Sequence, residues 1–127
     1  MRELIKAYKA LSDESRLRVL NLLMERECCV CEVMQALEIS QSKASRILSA
    51  LYDAGFLKLR KEGLWSLYSV DWDGMSPYLR DVLEANRTAF KDNKQMGVDR
   101  ENLRKTERIG PGCIGKACKA QLPAETA

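Results

Sequence analysis

Histidine is missing from all 127 residues of this chain. Its absence removes the imidazole base of serine and cysteine hydrolases, because neither a serine–histidine–acid triad nor a cysteine–histidine pair can be assembled. Histidine-containing zinc sites are removed as well, which leaves thiolates, with occasional carboxylate help, as metal ligands. Long apolar runs are also lacking: none approaches the ~20 residues that a membrane-spanning helix needs. The N-terminus is a charged amphipathic stretch from Arg2 to Leu11, without the apolar centre of a signal peptide. A reducing cytoplasm, with no membrane partner, is the expected setting, and five cysteines, an odd number, suit free thiols better than a disulfide framework. Excess charge is small, +3, which permits nucleic-acid binding without demonstrating it. A chain of this length makes one domain and no cleft between domains, and with no imidazole base to assemble a hydrolytic site, a non-enzyme is expected.

The elements are legible from spacing. Leu4, Ile5, Tyr8 and Leu11 share one face of a first helix, and Ser12 or Asp13 caps a second whose apolar face holds Leu17, Val19, Leu20, Leu22 and Leu23. Cys28 to Val30 suits a brief edge strand. Cys31 to Leu37 reads as a third helix, broken at Glu38 and Ile39. Ser40 is a fitting N-cap for a fourth helix, with Ala44, Ile47, Leu48 and Leu51 inward and Gly55 as its left-handed stop. Phe56 to Arg60 and Trp65 to Val70 alternate around Lys61, Glu62 and Gly63, the pattern of a hairpin, with Trp65, Tyr68 and Trp72 expected in packing. Ser76 and Pro77 open a fifth helix with Leu79, Val82, Leu83, Asn86 and Phe90 on one face.

Helix, short turn, helix and hairpin in that order predict a winged helix-turn-helix, mainly α with a β-hairpin wing and five helices. The apolar faces of the first and fifth helices lack partners in so small a core, which predicts a homodimer formed through them. Residues 1–94 are expected to form the DNA-binding and dimerisation domain. Beyond Lys94 the pattern dissolves into charge and then Gly110, Pro111, Gly112 and Gly115, so 95–127 reads as a flexible, cysteine-containing tail.

Two groups of residues carry chemistry. From Ser40 to Glu62, Lys43, Arg46, Lys58, Arg60 and Lys61 face only Asp53 and Glu62, so this segment alone matches the whole chain's excess of +3. Gln41, Ser42, Lys43, Ser45 and Arg46 on the recognition helix are candidate contacts to double-stranded operator DNA, and Arg60 and Lys61 in the wing are candidate backbone contacts. The other group is Cys28, Cys29 and Cys31, three thiols in four positions just ahead of the helix-turn-helix, with Cys113 and Cys118 in the tail. Such a cluster is a metal site, a redox site or buried packing. On a regular helix Cys29 and Cys31 point about 200° apart, so one ion holds both only where the helix start is extended or unwound. Cys28 and Cys31, three apart, meet on a helix without that change.

Four words of the sequence, Leu11-Ser12-Asp13-Glu14-Ser15-Arg16-Leu17, Glu27-Cys28-Cys29-Val30-Cys31-Glu32-Val33, Ser40-Gln41-Ser42-Lys43-Ala44-Ser45-Arg46 and Gly63-Leu64-Trp65 with Tyr68, resemble the ArsR/SmtB-type metalloregulatory repressors, in their arsenic-responsive branch. They cover about residues 4 to 90 in the family's order. The resemblance implies a dimeric winged-helix repressor that leaves its operator when As(III) or Sb(III) binds cysteines at the start of the third helix, and so controls arsenic resistance genes. Cys29 and Cys31 match the family's Cys-Val-Cys pair, but Met34 stands where a third cysteine is typical, which leaves Cys28, Cys113 or Cys118 as third ligand. Alternatives are a cadmium-, lead- or zinc-responsive repressor, a thiol-redox or polysulfide-sensing repressor of the same fold, and a small dithiol oxidoreductase or metal carrier. The basic recognition segment argues against the last.

Overall fold

The computed structural model describes residues 1–108. Along it run α1 (Arg2–Ala10), α2 (Glu14–Glu25), β1 (Cys28–Cys29), α3 (Val30–Leu37), α4 (Gln41–Asp53), β2 (Leu57–Glu62), β3 (Trp65–Val70), α5 (Pro77–Asp92) and α6 (Lys94–Arg104). The described residues thus hold six helices where the sequence predicts five.

Local chemistry accounts for most boundaries. Asp13 takes extended backbone and its carboxylate accepts from the Arg16 amide at 3.0 Å, satisfying one of the free donors at the start of α2. Ser40 does the same for α4, accepting from Lys43 N at 3.1 Å. Gly55, at φ 93°, follows the last turn of α4 in the left-handed region that a side chain disfavours. Between α3 and α4 the chain turns on Glu38 at φ 55°, and the Ile39 amide reaches back to the Met34 carbonyl at 3.2 Å. α2, α3 and α4 bury Leu20, Leu22, Val33, Met34, Leu48 and Leu51 against Phe56 and the hairpin.

The sheet has three strands in the order β1-β3-β2, all antiparallel. β2 and β3 form the wing, closing Glu62 onto Trp65 around Gly63 at φ 61°, the left-handed geometry that a two-residue hairpin loop requires. β1 adds to the other edge of β3, with Cys28 opposite Tyr68 and Cys29 opposite Leu67. The cysteine segment is therefore a strand of the wing's own sheet.

α6 corrects the expectation that order ends at Lys94. Asn93 caps it, accepting from the Met96 amide at 3.0 Å, and Met96, Asp99 and Leu103 face inward against α2 and α3. Its attachment is mostly polar: Asn21 Nδ2 donates to the Met96 carbonyl at 3.0 Å, and Arg100 donates to Asn21 Oδ1 at 2.8 Å and to the Phe90 carbonyl at 3.2 Å. Hydrophobic periodicity cannot see such a helix. Since α6 also packs on α5, Leu83 and Phe90 are buried within the chain, and part of the α5 face expected to await a partner is already covered. The proposed boundary between 94 and 95 falls inside packed structure. The expectation of a flexible tail, beyond 108, lies outside the described residues, as do Cys113 and Cys118.

Candidate thiolate site and nucleic-acid interface

Strand geometry separates the three clustered cysteines. Successive strand residues point to opposite faces, so Cys28 enters the main core among Leu, Val and Met side chains, while Cys29 joins Cys31 and Leu67 in a second small cluster against which Trp65 packs. All three are buried and none forms a disulfide. Burial pushes the Cys28 thiol up to about 12, the nearby Glu32 carboxylate adding to the effect, so Cys28 stays protonated; its Sγ donates to the Arg26 carbonyl at 3.4 Å. A protonated thiol in an apolar core is a packing residue and a poor metal ligand.

Cys29 and Cys31 differ. Cys29 is the N-cap of α3, with extended backbone at φ −91° and ψ 169°, so it does not sit on the helix at all. The 200° separation expected for a regular helix does not apply: the required extension is already built in, and Cys28, in the strand, is not at helical spacing from Cys31. Glu32 reaches back from the N3 position to accept from the Cys29 amide at 2.9 Å, the carboxylate half of a capping box. Cys31 Sγ accepts from Gln35 Nε2 at 3.0 Å, one turn along α3.

Glu32 is only 3% exposed and is the hub of the site. Arg26 donates to it at 2.8 Å and Arg108 at 3.1 Å. Burial alone raises its pKa, but the Cys29 amide, Arg26 and Arg108 outweigh burial and hold the carboxyl below its ordinary value. Trp65 Nε1 is buried with no hydrogen-bond partner among the described residues, beside the two-cysteine cluster. Among the described residues, no three His, Cys, Asp or Glu side chains are grouped to hold a metal ion. Met34 is fully buried in the main core and turned to packing.

Sequence reading did not single out Glu32, Gln35, Arg26 or Arg108. A residue with Glu three positions on, ahead of an apolar run, is a capping-box signal; the signal was obscured because cysteine stands where serine or threonine usually does. Arg108 lies 76 positions from Glu32, beyond the reach of any local pattern.

The basic group is arranged around α4 and the wing. Ser42, Lys43 and Arg46 are exposed on α4, and Gln41 and Ser45 are half-buried. Lys43 and Arg46 line a groove of about 250 Å³ with Asp13, Ser15, Arg16 and Ile47, which adds the start of α2 to the basic surface. In the wing, Arg60 grips Glu27 with two bonds of 2.7 Å and touches Glu62 at 3.0 Å, while Lys61 Nζ donates to Ser66 at 2.7 Å. Arg60 thus ties the wing to the residue just before β1.

The model of the family described as bacterial regulatory protein, arsR family, matches residues 13–59, which hold α2, Cys28, Cys29, Cys31 and α4. Arsenic resistance transcriptional regulator ArsR1 of Pseudomonas putida is 38% identical over 96 residues, 68% of this chain and 73% of that one. The chain belongs to the arsR family. A cadmium resistance regulatory protein CadC homolog of Staphylococcus aureus is 41% identical over 70 residues, 54% of this chain and 58% of its own. The solved structure of HlyU from Vibrio cholerae matches with a TM-score of 0.61 at 27% identity, over 72% of this chain and 95% of that one. As an arsR-family member the chain is a DNA-binding transcriptional regulator with a winged helix-turn-helix, not an enzyme. Among the described residues, no helix is long and apolar enough to cross a membrane.

Proposed function

We propose that this arsR-family chain is a homodimeric repressor that binds double-stranded operator DNA through α4 and the wing and releases it when As(III) or Sb(III) is held by Cys29 and Cys31 with thiolate help from the tail, where Cys113 and Cys118 lie. The observation that carries the reading is the pairing of Cys29 and Cys31 in one buried cluster whose other wall is the central wing strand. The kinship with a regulator named for arsenic resistance supports the choice of effector. A trivalent arsenic or antimony centre is a soft acceptor for thiolates. Cys28, protonated in the core, supports the fold in this reading and is not a donor.

Coupling follows from connectivity. Cys29 caps α3, the helix that leads into α4, and is paired with Leu67 of β3. Gathering the Cys29 and Cys31 sulfurs therefore pulls on α3 and on the wing together. Arg60, on Glu27, makes a second link between the same two parts. DNA contact needs both at fixed separation.

The dimer is supported by the outer surface of α1 and α5. Met1, Ile5, Tyr8 and Tyr78 are exposed, and Leu4, Tyr8, Tyr78 and Val82 line a hollow of about 430 Å³. A row of large apolar side chains at that spacing suits a second copy.

Operator binding by fluorescence anisotropy tests the reading, with reduced protein and its own promoter DNA at fixed salt, titrated with arsenite, then cadmium or zinc, then a disulfide-forming oxidant. Release at stoichiometric arsenite, lost in Cys29→Ser and in Cys31→Ser, is expected. Release by cadmium but not arsenite moves the effector to the ion for which one relative is named. Release by oxidant alone moves the assignment to thiol-redox or polysulfide sensing.

A further inference from the structure

We infer that the groove between the start of α2 and α4 seats a backbone phosphate of the operator duplex, gripped by Ser15 and Arg16 of α2 on one side and by Lys43 and Arg46 of α4 on the other. The inference rests on the reading that α4 faces DNA and extends the interface to a second helix. The sequence word from Leu11 to Leu17 has no part in the effector site or in α4, and the groove gives it one.

The groove holds about 250 Å³, and its walls carry Arg16, Lys43 and Arg46 against the single carboxylate of Asp13. That carboxylate is committed to the fold, since it caps α2 by accepting from the Arg16 amide at 3.0 Å. Among the described residues none of the three cations pairs with a carboxylate, whereas Arg18, Arg26, Arg60 and Arg87 each hold one. Three uncompensated cations around one hollow form a receptor for an anion that comes from outside the chain.

Arg16 is set in advance. Its Nη1 donates to the Lys9 carbonyl at the end of α1 at 3.0 Å, and the Ser12 hydroxyl donates to the same oxygen at 2.8 Å. Half-buried and tied at one nitrogen, Arg16 loses less side-chain freedom on meeting a ligand than a loose surface arginine does, and its other N–H groups suit the fork geometry of phosphate. Dimensions select the partner. An α-helix with its side chains is about 10–12 Å across and the major groove of DNA is about 12 Å wide, so a recognition helix fills the groove and the element beside it meets the phosphate rim. α2 packs against α4, which places Arg16 at that rim. Such contacts fix register and carry no base preference.

The test uses the full-length protein with its own promoter DNA and with an unrelated duplex of equal length, read by fluorescence anisotropy at several salt concentrations. Arg16→Gln is expected to weaken both duplexes alike, by about eightfold per protomer at about 0.1 M salt, and to lower the salt slope by up to about one unit per protomer, the share of one phosphate. Ser15→Glu guards against a folding effect: a carboxylate in the first turn favours the helix and repels phosphate, so binding is expected to fall with helical circular dichroism unchanged. A methylphosphonate scan, which removes the charge of one phosphate at a time, is expected to find a position in each half-site where neutralisation weakens the wild type but no longer weakens Arg16→Gln. Wild-type affinity in either variant, weakening with an unchanged salt slope, or loss confined to the promoter duplex overturns the inference. So does binding of inorganic phosphate to the DNA-free protein that vanishes in Arg16→Gln while duplex affinity holds, which would make the groove a small-anion site. The two readings fail separately. Full duplex affinity in the Lys43→Ala, Arg46→Ala double variant sinks the α4 reading, whereas full affinity in Arg16→Gln or Ser15→Glu beside a weakened double variant sinks the α2 contact alone.

Discussion

The Asp99 carboxylate, fully buried on α6, receives both Nε and Nη2 of Arg18 on α2, at 2.7 and 2.9 Å across 81 positions of sequence. Two parallel charge-assisted bonds fix angle as well as distance, and the hydrogen bond to Asp99 raises the Arg18 pKa despite partial burial. Removing one partner leaves the other inside the protein without compensation. Asp99→Ala is expected to cost about 3 kcal/mol of stability, the lower end for a broken buried pair because Arg18 keeps some solvent access. Urea unfolding at fixed protomer concentration measures it, and a loss under about 1 kcal/mol would mean that α6 is held by its apolar contacts alone.

Sequence reading went furthest where chemistry was local. Ser40 and Gly55 bounded α4, Asp13 opened α2, and the alternation on either side of Gly63 gave the wing. It stopped at α6, because Met96 and Leu103 are its buried apolar side chains and its attachments are Asp99, Asn21 and Arg100, partners some 80 positions apart. In the candidate site the cysteines were visible but their division was not: a single extended residue, Cys29, decides that Cys31 is its neighbour and Cys28 is not.

Glu32 makes stability depend on pH. Its folded pKa is depressed, so its contribution is fully present above the unfolded value near 4.5 and is lost as pH falls through the folded value. Stability of the wild type is expected to drop on acidification below about pH 4.5. Glu32→Gln is expected to be less stable at neutral pH and to show a shallower acid limb. Urea midpoints at pH 7 and pH 4 for both proteins check this, and parallel slopes would remove Glu32 from the hub.

Cys28→Ala is expected to keep the arsenite response while losing about 1 kcal/mol of stability from a small cavity, whereas Cys29→Ser and Cys31→Ser are expected to abolish it. A thiol held up to about 12 also resists alkylation at pH 8, so mass spectrometry after brief iodoacetamide treatment is expected to label Cys28 last among the cluster. Loss of the response in Cys28→Ala would return that thiol to the ligand set.

Two arginines of the basic surface are expected to behave differently in DNA binding. Arg46 is exposed on α4 beside the groove shared with Lys43, so Arg46→Ala is expected to weaken binding across sequences and to reduce the salt slope by about one unit. Arg60 is already engaged by Glu27 and Glu62, which offset its charge. Arg60→Ala is expected to change the salt slope less and to weaken the coupling between arsenite and release, because it cuts the tie from wing to β1. Anisotropy titrations at several salt concentrations, with and without arsenite, separate the two effects.

The exposed apolar row of α1 makes the oligomeric state testable without touching DNA-facing residues. Ile5 and Tyr8 are 48% and 54% exposed, while Ala7 and Ala10 of the same helix face the core, so a charge at Tyr8 burdens an interface and not the fold. Tyr8→Glu is expected to leave the helical circular dichroism unchanged and to convert the dimer to monomer in sedimentation velocity. Operator affinity is expected to fall steeply with it, because a two-fold site is then read one half at a time and the gain from joint binding disappears. A dimer that survives Tyr8→Glu would place the interface away from α1, with α5 alone left to carry it.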